Sequence, residues 1–205
     1  MGLLVTAARR ARGAARLAIS KDASSRYMSG LPPPYTPGDT RKGISVVGAG
    51  RMGMIRAEGI IANPGTRLVS VVDPDREKAT ALAESSNVPA FWSLEDALTD
   101  PSCDAVWIAG PTPFHLDCIR LAANAGKARG LAVEKPVAGS VEEIVQAHAI
   151  CRDNDVPLYC SFQRRTDRTY EQLAAAVRKG AVGAVRSVHA IFRDHPVPSI
   201  EFLKQ

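Results

Sequence analysis

Two observations predict an α/β fold, a doubly wound parallel sheet with helices on both faces. Between Gly43 and Phe162, short β-branched runs alternate with longer stretches of helical period. Strands joined by helices of that length make right-handed crossovers within one parallel sheet. The runs are also almost continuously apolar, as strands covered on both faces are.

The elements follow in order. "ISVVGAG" is a strand ending in a glycine turn, and "RMGMIRAEGIIAN" is the helix it opens. "RLVSVVD" and "REKATALAESSN" repeat the pair, as do "DAVWIAG" and "FHLDCIRLAANAG", then "LAVEKP" and "VEEIVQAHAICRDND", before a last strand in "PLYCSF". After Phe162 the rhythm changes. "DRTYEQLAAAVRKG" is helical with a glycine stop at Gly180, and "AVRSVHAIFRD" alternates with period two, placing Val188, Ala190 and Phe192 on one face. The expected organisation is a leader and Pro-rich linker over 1–36, a nucleotide-binding domain over 41–162, and the start of an incomplete α+β domain over 163–205.

Charge and composition exclude some functions. Of the 26 basic and 21 acidic residues, residues 1–36 hold six and one, so the body carries twenty of each and the excess of +5 lies in the leader. A neutral body with 5% aromatics has neither the basic face nor the stacking platform that nucleic-acid binding requires. No apolar run approaches the roughly 18 to 20 residues of a membrane span. Cys103, Cys118, Cys151 and Cys160 form no C-x-x-C pair and show no metal-ligand spacing with the four histidines, so a reduced compartment and no metal are expected.

The leader places Arg9, Arg12 and Arg16 on one helical face and Leu4, Ala7, Ala8, Ala11, Ala15 and Ala18 on another, with Asp22 its sole acid. That is the pattern of an organellar transit peptide, and "RYMS" from Arg26 resembles a mitochondrial processing site. The expected location is mitochondrial, and cytoplasmic if the segment is only a tail. "LPPPYTPGD" then reads as a stiff extended linker.

Gly48, Gly50 and Gly53 form G-x-G-x-x-G directly after a strand and at the start of a helix, and Asp73 ends the second strand 20 residues beyond Gly53. Strand, glycines, helix and acid together are the dinucleotide fingerprint of the Rossmann fold. Gly48 would allow the tight turn, Gly50 the approach of backbone to pyrophosphate, and Gly53 the packing of helix on strand. Asp73 would bond a ribose hydroxyl and repel a 2′-phosphate, favouring NAD over NADP. Its other candidate role is N-cap of the helix beginning at Asp75, with Pro74 well suited to the first helical position.

Ligands of such a sheet lie beyond the carboxyl ends of its strands, where "AGPTPFH", "EKP" and "SFQRRTD" fall. Pro136 keeps Lys135 out of helical conformation, at a strand tip aimed at the crevice. There it would bind or polarise a substrate hydroxyl, or else stand at the surface paired with Glu134. Arg164 and Arg165 would clamp phosphate or substrate, or be solvated charges at a domain junction. His115 would cap the helix it precedes or be a satisfied histidine in a turn; His148 and His189 read as structural.

In this order, "VVGAGRMG", "VVDPD", "IAGPTPFH", "VEKP" and "SFQRRTD" resemble the glucose-fructose oxidoreductase, inositol dehydrogenase and rhizopine-catabolism (Gfo/Idh/MocA) family, from about Ile44 onward. "RDHPVPSIEFLK" is similar to the inositol 2-dehydrogenase branch. The resemblance implies NAD as cofactor, with Gly48, Gly50, Arg51, Met52, Gly53 and Asp73 binding it, Thr112, Pro113, His115 and Glu134 along its nicotinamide side, and Arg164 near cofactor and substrate. It implies Lys135 as the catalytic lysine on the reacting hydroxyl, a cyclic polyol or sugar as substrate, and a homo-oligomer built by a complete second domain.

The sequence departs from the family pattern twice. No Asp-x-x-x-His motif, which would supply the base, appears before Gln205, so the base is expected to be missing from this chain. "GKARGLAVEKP" also carries two more residues between Gly-Lys and Glu-Lys-Pro than the family pattern, among them Arg129 and Gly130. The competing readings are a non-catalytic NAD(H)-binding module and a sugar or dihydrodiol dehydrogenase of the same family.

The leader analysis predicts that mass spectrometry of the protein from its own cells finds an N-terminus between about residues 25 and 40. An intact Met1 in a cytosolic fraction would overturn it.

Overall fold

A computed structural model describes residues 39–191. The leader and the "RDHPVPSIEFLK" segment therefore lie outside the described residues. The chain divides into two compact units between Ser161 and Phe162.

The first unit is a six-stranded parallel sheet of β1 (Lys42–Val47), β2 (Thr66–Val72), β3 (Ala90–Phe91), β4 (Ala105–Ile108), β5 (Leu131–Val133) and β6 (Leu158–Cys160) in the order β3-β2-β1-β4-β5-β6. This is the Rossmann order, which reverses between β1 and β4 and opens a crevice at their carboxyl ends. Between the strands run α1 (Arg51–Ala62), α2 (Arg76–Ser86), a single turn α3 (Leu94–Ala97), α4 (His115–Asn124) and α5 (Val141–Asp153).

The apolar runs divide between two core clusters, with a register shift at Val69 resetting the alternation of β2. Val46, Leu68 and Val71 face Ala57 and Ile60 of α1 and Leu82 and Ala83 of α2. Their neighbours Val47, Val69 and Val72 face the other way, joining Ile108 and Val133 against Ile119, Ala122 and Ala123 of α4 and Ala147 and Cys151 of α5. Both faces are thus dry, as the uninterrupted strands require. Two serines interrupt the pattern and satisfy each other. Ser70 donates to Ser45 at 2.7 Å, and Ser45 to the Cys103 sulfur at 3.1 Å. Burial pushes the Cys103 thiol up from its ordinary pKa.

The second unit holds α6 (Arg168–Arg178), capped by Asp167, whose Oδ1 accepts from Thr169 N–H at 2.9 Å. It ends at Gly180, with φ at 72°, the left-handed helix stop that glycine supplies without strain. Of the alternating stretch, the described part, residues 184–191, carries no strand. An isolated strand leaves its backbone groups unpaired and its apolar face uncovered, and among the described residues this unit has no other strand to lie beside.

Ile119 is fully buried in the core, whereas Val145 on α5 is 63% exposed. Ile119→Ala should therefore cost about 2 to 5 kcal/mol of stability in urea unfolding, and Val145→Ala less than about 0.5. Equal losses would contradict this packing.

Candidate active site at the carboxyl edge of the sheet

At the end of β1 the chain turns through Gly48, with φ at 100°, where a Cβ would lie 2.7 Å from the Gly110 nitrogen. The turn is closed by Gly48 N–H donating to the Val72 carbonyl at 2.7 Å. Helix α1 seats directly on it, since a Cβ on Gly53 would stand 1.7 Å from the Gly48 carbonyl oxygen. Gly50 is different: a Cβ there would meet nothing within 4 Å. Its missing side chain leaves free space in front of the first turn of α1, which has neither a side-chain cap nor an acid. Exposed helix-start N–H groups at the positive end of a helix, with room before them, suit a pyrophosphate. Arg51 is exposed and Met52 half-buried in that turn.

Asp73 is half-buried at the end of β2, with both carboxylate oxygens held. Oδ2 accepts from Ala49 N–H in the glycine turn at 2.7 Å, and Oδ1 from Asp75 N–H at 2.9 Å. The expected cap role is corrected here. Helix α2 begins at Arg76, and its cap is Asp75, whose side chain accepts from Lys78 N–H. Asp73 instead ties the glycine turn to the second strand. A carboxylate oxygen has two lone pairs, so each keeps one for a ribose hydroxyl, and the fixed negative charge disfavours a 2′-phosphate.

Beyond β4, Thr112 and Pro113 lie in a short 3-10 turn, Thr112–Phe114, with Thr112 half-buried and Pro113 exposed. His115 is 1% exposed. It opens α4 rather than capping it, and its ring reaches two backbone carbonyls, Nδ1 lying 2.9 Å from Pro136 O and Nε2 2.9 Å from Gly110 O. The reading as a satisfied histidine is the one its ring contacts match.

Beyond β5, Glu134 is buried and Lys135 exposed. The Glu134 carboxylate does not pair with Lys135. Its Oε1 accepts from Arg56 Nε at 2.5 Å and from the Trp107 indole N–H at 3.1 Å. Arg56 also donates to Ser161 Oγ at 3.0 Å and stands 5.1 Å over the Trp107 ring. Arg56 had no signal in the sequence: one arginine on a helix is ordinarily a solvated charge. The stretch before β5 that the sequence reads as longer than the family pattern lies ahead of the strand. Arg129 N–H donates to Asp104 O at 2.7 Å, and Val106 N–H to Gly130 O at 3.2 Å. Leu131, Ala132 and Val133 then pair in register with Val106, Trp107 and Ile108, so Lys135 stands at the strand tip.

Gly48, Gly50, Gly53, Asp73, Thr112, Glu134 and Lys135 are thus gathered at one edge of the first unit. Arg164 belongs to the second, where it is exposed, 3.7 Å from Asp167 Oδ2 and 5.2 Å over the Tyr170 ring. Among the described residues no group of His, Cys, Asp and Glu could hold a metal, and no helix is long and apolar enough to cross a membrane.

Residues 42–162 match the family described as "Oxidoreductase family, NAD-binding Rossmann fold", the Gfo/Idh/MocA family. The chain belongs to it. The scyllo-inositol 2-dehydrogenase (NAD(+)) of Bacillus subtilis is 34% identical over 163 residues, 78% of this chain and 47% of that protein. The inositol 2-dehydrogenase of Rhizobium meliloti is 32% identical over 162 residues, again 78% of this chain and 48% of the relative. Among solved structures, the scyllo-inositol dehydrogenase of Lactobacillus casei with bound NAD(H) and scyllo-inositol superposes with a TM-score of 0.64 at 27% identity, covering 70% of this chain and 42% of that one. The chain spans about half the length of the curated relatives it matches. Family membership and the open glycine cradle agree on NAD as the dinucleotide.

The cradle geometry separates two glycine variants. Gly50→Ala should melt within about 1 °C of the parent, because the added methyl meets no protein atom, yet weaken NAD by at least about tenfold in fluorescence titration, on the scale of a lost charge-assisted contact. Gly53→Ala should lower the melting temperature as well, since the helix must move off the turn. Unchanged NAD affinity in Gly50→Ala would remove the pyrophosphate from this cradle.

Proposed function

We propose that this protein is an NAD-dependent oxidoreductase acting on a secondary alcohol of a cyclic polyol of the myo-inositol type. The observation that carries the reading is the exposed Lys135 at the β5 tip, on the same sheet edge as the Gly48–Gly53 cradle. The inositol dehydrogenases among its relatives support it.

Oxidation of such an alcohol removes a hydride from carbon and a proton from oxygen, and NAD, when bound, supplies the hydride acceptor. The residues of this chain have separate tasks. The first turn of α1 binds the phosphates and Asp73 orients the ribose. Lys135 hydrogen-bonds the reacting hydroxyl and stabilises negative charge developing on its oxygen as the proton leaves. The proton goes to a general base supplied from outside the described residues. A second domain of the kind the family resemblance implies would shape the substrate pocket and build a homo-oligomer. The acid-poor leader supports delivery to mitochondria.

Without a base in reach of the hydroxyl, turnover would fall by roughly 10²- to 10⁴-fold, so binding is the better test. Saturation-transfer NMR on the chain should show myo-inositol contacting the protein when NAD is present, and Lys135→Met should abolish that signal while leaving NAD affinity within about twofold, because the lysine lies outside the phosphate cradle. A stronger signal from a trans-dihydrodiol than from inositol would favour the dihydrodiol reading. No polyol signal with NAD bound would favour a non-catalytic NAD(H)-binding module.

A further inference from the structure

Lys135 is exposed, but the residues on either side of it are not free. The carboxylate of Glu134, 6% exposed, is gripped by Arg56 from helix α1 and by Trp107 from β4. Arg56 is itself fixed by Ser161 at the end of β6 and by the Trp107 ring beneath its guanidinium. Trp107 packs with the core cluster under α1 and α2, so this fastening is made on that face of the sheet. On the opposite side, Pro136 O is met by the ring of His115 at the start of α4, and the same ring meets Gly110 O beyond β4. The backbone of the tip is also paired, with Glu134 N–H donating to Ile108 O at 2.9 Å and Ser161 N–H to Val133 O at 2.8 Å.

We propose that Arg56 and His115 are positioning residues that hold the Glu134–Lys135–Pro136 tip from its two sides, so that the Lys135 side chain leaves a fixed backbone toward the crevice. The inference rests on the reading of Lys135 as the residue that meets the substrate hydroxyl. A long lysine on a mobile loop loses much of its rotamer freedom on each encounter, whereas a lysine on a fastened tip is partly placed in advance. The geometry adds a coupling. Arg56 lies one turn along the helix whose first turn fronts the pyrophosphate, so a dinucleotide that settles α1 also settles Glu134, and through it Lys135. His115 gives the matching link on the other side, from the loop carrying Thr112 and Pro113 to the proline after Lys135. Neither residue needs to touch cofactor or substrate to act this way; both ring nitrogens of His115 already face backbone oxygens.

The test uses the full chain, reductively methylated with ¹³C-formaldehyde, so that each of its seven lysines carries an NMR-visible dimethylamine. Lys135→Arg assigns the Lys135 signal. In the parent, that signal should stand apart from the exposed lysines and shift on saturation with NAD. Arg56→Met combined with Glu134→Gln, which leaves no unpaired buried charge, and His115→Gln should each keep cooperative melting, and each is compared with the parent at saturating NAD. In both, the Lys135 signal should move to the position of the exposed lysines, and its response to NAD should fall at least about threefold. Arg56→Lys, which keeps a cation beside Glu134, should restore a large part of that response and gives a folded comparison if the double variant melts early. A Lys135 signal still at the parent position in a folded variant of either residue would strike that residue from the claim. The functional reading fails by a different result: a polyol that leaves the parent Lys135 signal unmoved when NAD is bound.

Discussion

Helix α1 can lie where it does only because residue 53 has no side chain. A Cβ there would overlap the Gly48 carbonyl oxygen, and a packed interior gives way to such an atom only by moving whole elements. The helix therefore seats on the very turn that ends the central strand. Its first turn points into the crevice between β1 and β4, and its next turn carries Arg56 over Trp107 to Glu134 at the neighbouring strand end. One absent methyl group thus places both the phosphate cradle and the support of the Glu-Lys-Pro tip.

Charge at this edge is divided in the same economical way. Helices α2, α3, α5 and α6 begin on Asp75, Ser93, Ser140 and Asp167, whose side chains take up an otherwise unpaired N–H. Helix α1 begins on Gly50 and has no such partner, so its positive end remains available to an anion. The nearby negative charge is that of Asp73, fixed by Ala49 N–H and Asp75 N–H. An attractive end for the bridging phosphates and a repulsive carboxylate where a 2′-phosphate would sit separate NAD from NADP by position, with no need for a larger contact surface.

Most of the first unit was legible in the sequence because its signals are local. Apolar runs and helical periods mark the strands and helices to within about three residues, and a strand, three glycines and an acid at the right spacing mark the cradle. β3 escaped because two residues, Ala90 and Phe91, carry no period; the pairing of Val71 and Val72 with them makes the strand. Asp73 remained a candidate cap because Asp73 and Asp75 both precede the helix, and only the backbone settles which carboxylate meets the Lys78 N–H. The pairing of Arg56 with Glu134 and of the His115 ring with Pro136 was not legible at all. Their partners lie 78 and 21 residues away along the chain, and neither hydrophobic period nor motif spacing encodes such pairs. The stretch over 184–191 shows the converse: its alternation is present, but a strand is a property of a pair.

The stretch before β5, read from the sequence as two residues longer than the family pattern, shows why pairing outranks spacing in this fold. Counted from Gly126, two added residues would push Glu134 and Lys135 two positions along, past the end of the strand. The ladder prevents this. Once Arg129 N–H meets Asp104 O, Val106 N–H meets Gly130 O and Val133 lies beside Ile108, the extra length can only bulge ahead of the strand, where Ala128 is buried and Arg129 exposed. A slip of two residues would put Ala132 where Glu134 meets Arg56 and leave the arginine without its carboxylate, a far larger cost than a longer turn. The position of Lys135 is therefore fixed by what its strand pairs with and by what holds the residues beside it.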